Sequence, residues 1–260
     1  MIRRGALTLG NVLLFWAATM VILAISGAIA GHGPNSPTVT GAIAAPGTFG
    51  LTLLFTKWRH KRLVDFGFAI ARGTFMRFGV GLAFGTFLIA AQTTIMWLAG
   101  GVKWVATTPT LAMLTPVLGY VLLATREELA FRGYPLRVLA SETEPWLALL
   151  IVSILFAVEH KLGGSSWPAA VFGAGLGAVV FGMAALATDG LALPIGVHAA
   201  WNIGDWLRGG KGDGGLWRIV VEPGAAAHAD RVAWTSYAAV MLCAAAVLAC
   251  WCRSRQTNKV

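Results

Sequence analysis

Residues 7–29 read LTLGNVLLFWAATMVILAISGAI, an apolar run of 23 residues that contains no charged side chain. About 20 apolar residues cross a bilayer, because its hydrocarbon core is about 30 Å thick and an α-helix rises about 1.5 Å per residue. The run therefore predicts a membrane-spanning helix. Arg3 and Arg4 precede it as in a secretory signal, but its length favours a first helix that is retained over a cleaved peptide.

The rest of the chain has the same character, with 57% hydrophobic and only 12% charged residues in a total of 260. A soluble domain carries roughly 25% charged residues, so this chain has too little charge to cover a water-exposed surface. Its net charge of +9 comes from basic residues that cluster between apolar segments. Such clusters indicate contact with anionic lipid, and no nucleic-acid partner is expected, because an aromatic-interleaved basic stripe is missing.

Seven further apolar segments follow the first, and the helix that begins at residue 110 is expected to continue through Arg132 to Gly133-Tyr134-Pro135. Together they predict an all-α polytopic membrane bundle of about eight transmembrane helices, with seven as the alternative count, around a polar intramembrane cavity. We expect one integral membrane domain over residues 1–260. The seven segments are residues 41–56, 78–100, 110–124, 146–160, 169–187, 191–207 and 232–252.

The basic loops predict the orientation. With eight spans, the basic residues of 3–4, 57–77, 132–137 and 253–259 fall on one side, which the positive-inside rule assigns to the cytoplasm. The chain is thus expected to be a multi-pass protein of the cell (inner) membrane with both termini cytoplasmic. The loop 208–231 places four basic residues on the opposite side, which is why seven spans remain the alternative. Residues 63–78, where apolar and charged residues alternate, predict an interfacial amphipathic helix.

Three short strings of ionisable residues interrupt the apolar segments. They are Glu127-Glu128-Leu-Ala-Phe-Arg132, Phe156-Ala-Val-Glu159-His160 and His198-Ala-Ala-Trp-Asn202. A charge near the bilayer centre costs at least ~2.5–3.5 kcal/mol on insertion scales, so such residues usually mark function. This set, spread over three separate helices, predicts an enzyme.

Glu128 and Arg132 are four residues apart on one helical face, in the favourable acid-before-base order, and they can neutralise each other when buried. Glu127 diverges from Glu128 by about 100° around the helix, so no partner on its own helix faces it. A carboxyl group in that position suits a general base or acid. The alternative is that Glu127 lies at a helix end and reaches water.

His198 and Asn202 also share one helical face, so both side chains can address the same point. Two fixed donors in a dry site form a plausible oxyanion hole, and the alternative is a polar clamp between helices. His160 lies at the end of an apolar helix, a position that fits either a catalytic role or a place at the membrane interface. Glu159 beside it is expected to face a loop or to pair with Lys161.

EExxxR, FxxxH and HxxxN, in this order on successive hydrophobic segments, resemble the CPBP family of intramembrane glutamic endopeptidases. This family, also called Abi, includes the type II CAAX prenyl proteases and proteins linked to bacteriocin processing and self-immunity. The similar region covers about residues 110–207. The resemblance implies a helical bundle around a cavity that opens to the cytoplasmic leaflet, with no obligatory metal.

The same resemblance implies a role for each matching residue. Glu127 would activate the attacking water, His160 would hold or polarise it, and His198 and Asn202 would stabilise the oxyanion. The Glu128–Arg132 pair would support the site. Glu159 departs from the small or apolar residue that the family pattern has before its histidine.

The sequence therefore predicts a metal-independent endopeptidase without a cofactor. Its partners would be the lipid bilayer and a membrane-anchored peptide or protein substrate, such as a prenylated CAAX-like tail or a leader peptide. A zinc site is the chemical rival, but HExxH is missing and Glu159-His160 has the wrong spacing for two ligands on one helical face. Two functional alternatives stay open: a non-catalytic immunity or scaffold protein, and a proton-coupled transporter that uses Glu127 and His160.

Overall fold

The computed structural model describes residues 2–69, 73–212 and 214–257. In these residues the chain forms nine α-helices and a two-stranded antiparallel ribbon that pairs Val102 with Val221 and Ala106 with Trp217. Two π-helical segments, Leu129–Gly133 and Ala169–Gly175, join α4 to α5 and lead into α7. The elements are α1 (Ile2–Ala30), α2 (Ser36–Trp58), α3 (Gly73–Ala99), β1 (Val102–Ala106), α4 (Leu114–Glu128), α5 (Tyr134–Ala140), α6 (Pro145–Leu162), α7 (Leu176–Thr188), α8 (Ala192–Leu207), β2 (Trp217–Val221) and α9 (Ala226–Thr257).

Six helices in the described parts of the chain are long and apolar enough to cross a membrane: α1, α2, α3, α6, α9 and the helix formed by the second π segment with α7. The other two predicted spans are α4, which carries the adjacent glutamates, and α8, which has 16 residues. These two helices hold most of the polar site, and this is why they are less apolar or shorter. The predicted all-α polytopic membrane bundle is confirmed.

The helices alternate in direction. α2 and α4 run parallel. Thr38 donates to the carbonyl of Thr115, and Gly41, which is later in α2, lies against Leu122, which is later in α4. α4 and α8 run antiparallel, with Tyr120 on Trp206 at one end of their contact. The ribbon therefore lies on one side of the bundle, called here the ribbon side, together with the α1–α2 and α6–α7 connections. The α5–α6 and α7–α8 connections lie on the opposite, terminal side.

α3 and α8 approach each other backbone to backbone. A Cβ atom on Gly81 would meet the carbonyl oxygen of Leu193, and one on Gly85 would meet that of Val197. On the facing helix, a Cβ on Gly196 would meet the carbonyl of Phe78. Small residues allow such close packing in membranes, where van der Waals contact is a main source of helix association. The three glycines, called here the glycine seam, fix α8 and so the two polar residues that α8 contributes.

We expect Gly85→Val to destabilise the bundle by about 1–3 kcal/mol, because the added side chain overpacks a backbone contact. Gly79→Val is the matched control, since a Cβ at this exposed position on the same helix meets no atom within 4 Å. Thermal unfolding of both variants in detergent measures the difference. Equal losses in the two variants would contradict the close approach of α3 and α8.

The predicted amphipathic helix over residues 63–78 is wrong. Leu63–Phe66 forms a single 3₁₀ turn, which Asp65 caps by accepting from the backbone N–H of Arg62. Gly67 then takes a left-handed conformation with φ of 86°, which ends the turn. α3 begins at Gly73, so the next apolar residues belong to a span. Some basic residues used in the predicted orientation lie outside the described part of the chain. They are Arg72 and the side chains of Arg3, Arg4, Arg255 and Lys259.

Two other boundaries differ from the prediction. The helix of α4 does not end at Gly133-Tyr134-Pro135 but continues through the first π segment into α5. Pro135 is tolerated because Gly133, with ψ of −104°, departs from helical geometry just before it and makes Pro135 part of a first turn. The loop 208–231 contains β2, which pairs with a strand that follows α3.

Candidate active site

The polar residues meet near the middle of a continuous helical stretch. α4, the first π segment and α5 together cover residues 114–140, and Glu127 and Glu128 lie halfway along them. The π segment begins directly after Glu128. Such segments frequently occur at functional sites, because one turn is widened and the following side chains are turned relative to an α-helix.

Glu128 is fully buried and binds two cationic or polar partners through one oxygen. Its Oε1 accepts from Arg132 Nη1 at 3.3 Å and from His198 Nδ1 at 2.8 Å. The predicted pair with Arg132 is thus present, and His198 of α8 joins it. Arg132 also donates from Nη2 to the carbonyl of Ala178 in α7 at 3.0 Å. These bonds connect α4, α7 and α8 around one carboxylate.

The bond to Glu128 decides how His198 is oriented. A carboxylate only accepts, so Nδ1 of His198 carries the hydrogen, and Nε2 lies 3.5 Å from Oε2 of Glu127. In the neutral ring Nε2 is then an acceptor that faces Glu127. In the protonated ring it becomes a donor. The sequence predicted a fixed donor, whereas this arrangement allows His198 to donate towards Glu127 only as an imidazolium.

Aromatic rings enclose the histidines. Phe181 stacks on His198 with 4.2 Å between ring centroids and 14° between the planes. Phe156 lies 4.5 Å from the ring of His160 and 4.7 Å from the guanidinium of Arg132. Phe156 therefore links His160 to the rest of the site. Phe181 lies outside the three strings, and no sequence signal distinguished it from the other apolar residues of α7.

Exposure divides the six predicted site residues into two groups. Glu128, Arg132 and His198 are buried, whereas Glu127, with 18% of its side chain exposed, His160 and Asn202 are partly accessible. His160 Nδ1 donates to the carbonyl of Phe156 at 3.0 Å, which makes Nε2 an acceptor in the neutral ring. Asn202 follows His198 on the same face of α8, about 6 Å further along the helix axis.

Residues 108–204 match a family model described as type II CAAX prenyl endopeptidase Rce1-like. Residues 108–204, which are similar to this family, are called here the Rce1-like core. This core contains all three strings, and the expected resemblance to the CAAX proteases is confirmed. The match supports a CAAX-type intramembrane endopeptidase, a hydrolase that acts on membrane-associated peptides. A search of curated proteins gave no match to the chain.

The Rce1-like core also contains a second buried ion pair. Glu159 is buried and binds Nη1 of Arg126, and Arg126 donates from Nη2 to the carbonyl of Thr19 in α1 at 3.1 Å. The prediction that Glu159 faces a loop or pairs with Lys161 is wrong. Glu159 is buried against Arg126, and Lys161 donates to the carbonyl of Ser165. The sequence did contain a signal for this pair, because Arg126 and Glu159 are opposite charges without an assigned partner in two separate apolar helices.

The buried carboxylates of the site are matched by guanidinium groups. Glu128 binds Arg132, and Glu159 binds Arg126. Glu127 lies opposite His198, with its Oε2 at 3.5 Å from Nε2 of the ring. Because an uncompensated buried charge is costly, each of the two buried carboxylates has its own cationic partner.

Two cavities lie beside the Rce1-like core, and neither is lined by the six predicted site residues. One, of about 500 Å³ on the ribbon side, has Tyr120, Trp206 and Lys211 in its wall. The other, of about 470 Å³, is mainly apolar and lies between α3, α8 and the ribbon. In residues 2–69, 73–212 and 214–257, no three His, Cys, Asp or Glu side chains are grouped to hold a metal ion.

We expect Arg132→Met to cost about 3–5 kcal/mol of stability, because it removes one partner of a buried ion pair and leaves Glu128 undercompensated. Arg62→Met is the matched control, since Arg62 pairs with Asp65 at the surface, where ion pairs contribute little. Denaturant or thermal unfolding in detergent compares the two variants. If both behave alike, Glu128 does not depend on Arg132.

Proposed function

We propose that this chain is a glutamic-type intramembrane endopeptidase in which Glu127 activates the water that attacks a peptide carbonyl. The observation that carries the proposal is the arrangement of two carboxylates around one imidazole. Buried Glu128 holds Nδ1 of His198, while the partly exposed Glu127 lies opposite Nε2. One carboxylate is thereby fixed as a support, and the other is left accessible to water and substrate.

The chemistry begins with a water molecule near Glu127. The Glu127 carboxylate takes a proton from this water, and the oxygen attacks the scissile carbonyl carbon to give a tetrahedral oxyanion. As the intermediate collapses, the C–N bond breaks and Glu127 passes its proton to the leaving amine. Nε2 of His160, an acceptor in the tautomer that Phe156 selects, orients the water through a second hydrogen bond.

The oxyanion needs donors that are in place before the charge forms. The amide of Asn202 is one such donor. His198 is the second when its Nε2 carries a hydrogen, while its Nδ1 remains bonded to Glu128. The Glu128–Arg132 pair fixes the ring and does not itself contact the substrate. Phe156 and Phe181 keep this region apolar, and electrostatic interactions are stronger there than in water.

The substrate class follows from the setting of the site. A helical bundle in lipid with a half-buried catalytic group fits a peptide that is itself membrane-anchored, through a prenyl group or an apolar leader. The basic residues near the terminal side support an orientation with both termini in the cytoplasm. The proposed mechanism uses no metal and no cofactor, and all proton transfers are assigned to side chains of this chain.

We expect Glu127→Gln to lower kcat by about 10²–10⁴, because the amide cannot accept the proton from water. Cleavage of fluorogenic tail peptides, with and without a prenyl group, is measured in proteoliposomes. Glu222→Gln is the control, since Glu222 pairs with Lys103 beside the ribbon and away from the site. EDTA and a zinc add-back run in parallel, and activity that survives EDTA supports the glutamic mechanism.

Other outcomes favour the alternatives. Loss of cleavage on chelation with recovery on zinc addition would establish a metallopeptidase. A Glu127→Gln variant that keeps a cellular immunity phenotype and never cleaves any tested peptide would favour a non-catalytic binding protein. Proton uptake coupled to solute flux in the same vesicles, lost in this variant, would indicate a transporter.

Asn202→Ala should lower kcat by about 10²–10³ with little change in KM, since an oxyanion donor acts mainly in the transition state. The control is Asn35→Ala, at the start of α2 on the ribbon side. Steady-state kinetics on the best peptide separate the two parameters. A rise in KM with unchanged kcat would instead assign Asn202 to substrate binding.

A further inference from the structure

We infer that Arg126 and Glu159 are a positioning pair that fixes the distance between Glu127 and His160. The inference rests on the proposed function, because it concerns the two groups that handle the attacking water. Arg126 immediately precedes Glu127 in α4, and Glu159 immediately precedes His160 in α6. The ion pair between the two side chains therefore joins the two helices at the level of the catalytic groups.

The pair also fixes a third helix. Nη2 of Arg126 donates to the carbonyl of Thr19, in the middle of α1. Trp16, one turn earlier in α1, packs against the buried cluster that contains Phe131 and Phe156. Phe156 in turn contacts the ring of His160. α1 is thus connected to the site through both a polar and an apolar contact, although it contributes no residue to the three strings.

Stability alone is a weak reason for this pair. Both side chains are buried, and Nε of Arg126 and Oε2 of Glu159 have no hydrogen-bond partner in the described structure. Buried ion pairs that are not fully satisfied are often no more stabilising than well-packed apolar side chains of similar volume. Positioning has a large effect in comparison, because a displacement of about 1 Å at a reacting group can cost about 10² in rate.

The pair also sets the charge beside the catalytic groups. Glu159 is adjacent in sequence to His160, and without Arg126 its carboxylate would be an uncompensated buried charge. Its bond with Arg126 satisfies that charge locally. Arg126 likewise has its charge matched by direct contact with Glu159.

The test is the apolar double variant Arg126→Met/Glu159→Leu, which removes both charges and keeps similar volumes. We expect it to fold with near wild-type thermal stability and to lose at least tenfold in kcat, with KM changed less than about twofold. Arg137→Met/Asp189→Asn is the matched control, because that pair joins α5 to the end of α7 without contacting the six site residues. Arg126→Lys should recover part of the kcat that Arg126→Met loses.

A folded double variant with full kcat would overturn the inference and make the pair structural only. If the double variant does not fold, Glu159→Asp decides, since it keeps the charge and shortens the reach by one methylene. A tenfold lower kcat in folded Glu159→Asp supports positioning, and an unchanged kcat overturns it. Glu127→Gln is assayed in the same series: full activity of that variant would show that the proposed function has failed, whatever the pair does.

Discussion

The bond between the Glu128 carboxylate and Nδ1 of His198 is the constraint on which the site depends. It selects one tautomer of the imidazole and leaves Nε2 to face Glu127. It also explains why two adjacent glutamates are present, since one fixes the histidine while the other remains accessible. Arg132 binds the same carboxylate and also the backbone of α7. The Glu128 carboxylate and Arg132 thus connect α4, α7 and α8.

An apolar bundle has little water to solvate charges, and this determines the composition of the site. The carboxylates and guanidinium groups form pairs across helices, and the aromatic rings of Phe156 and Phe181 fill the space around them. The Rce1-like core therefore combines an ionic network with a dry surrounding. A dry surrounding strengthens each interaction with a developing charge, provided that the resting charges already cancel.

Much of this architecture could be predicted from the sequence, because membrane spans depend on local apolar length. The Glu128–Arg132 pair was also predictable, since helical spacing alone brings those side chains together. Contacts between helices could not be predicted in this way. The partner of Glu159 lies 33 residues away in the chain, and nothing in the local sequence distinguishes Phe181 from its apolar neighbours. The predicted amphipathic helix over residues 63–78 does not form, because Gly67 ends the first turn. The ribbon was not predicted, because its two strands are short and lie in separate loops.

The glycine seam has a consequence for how a substrate reaches this site. Where two backbones touch without side chains between them, no rotamer change can widen the gap, so α3 and α8 are expected to move as one body. An opening from lipid to Glu127 is then expected between helices that meet through side chains. α4 and α6 are such a pair, joined by Arg126 and Glu159. The route of entry is in this sense decided by the residues that have no side chain.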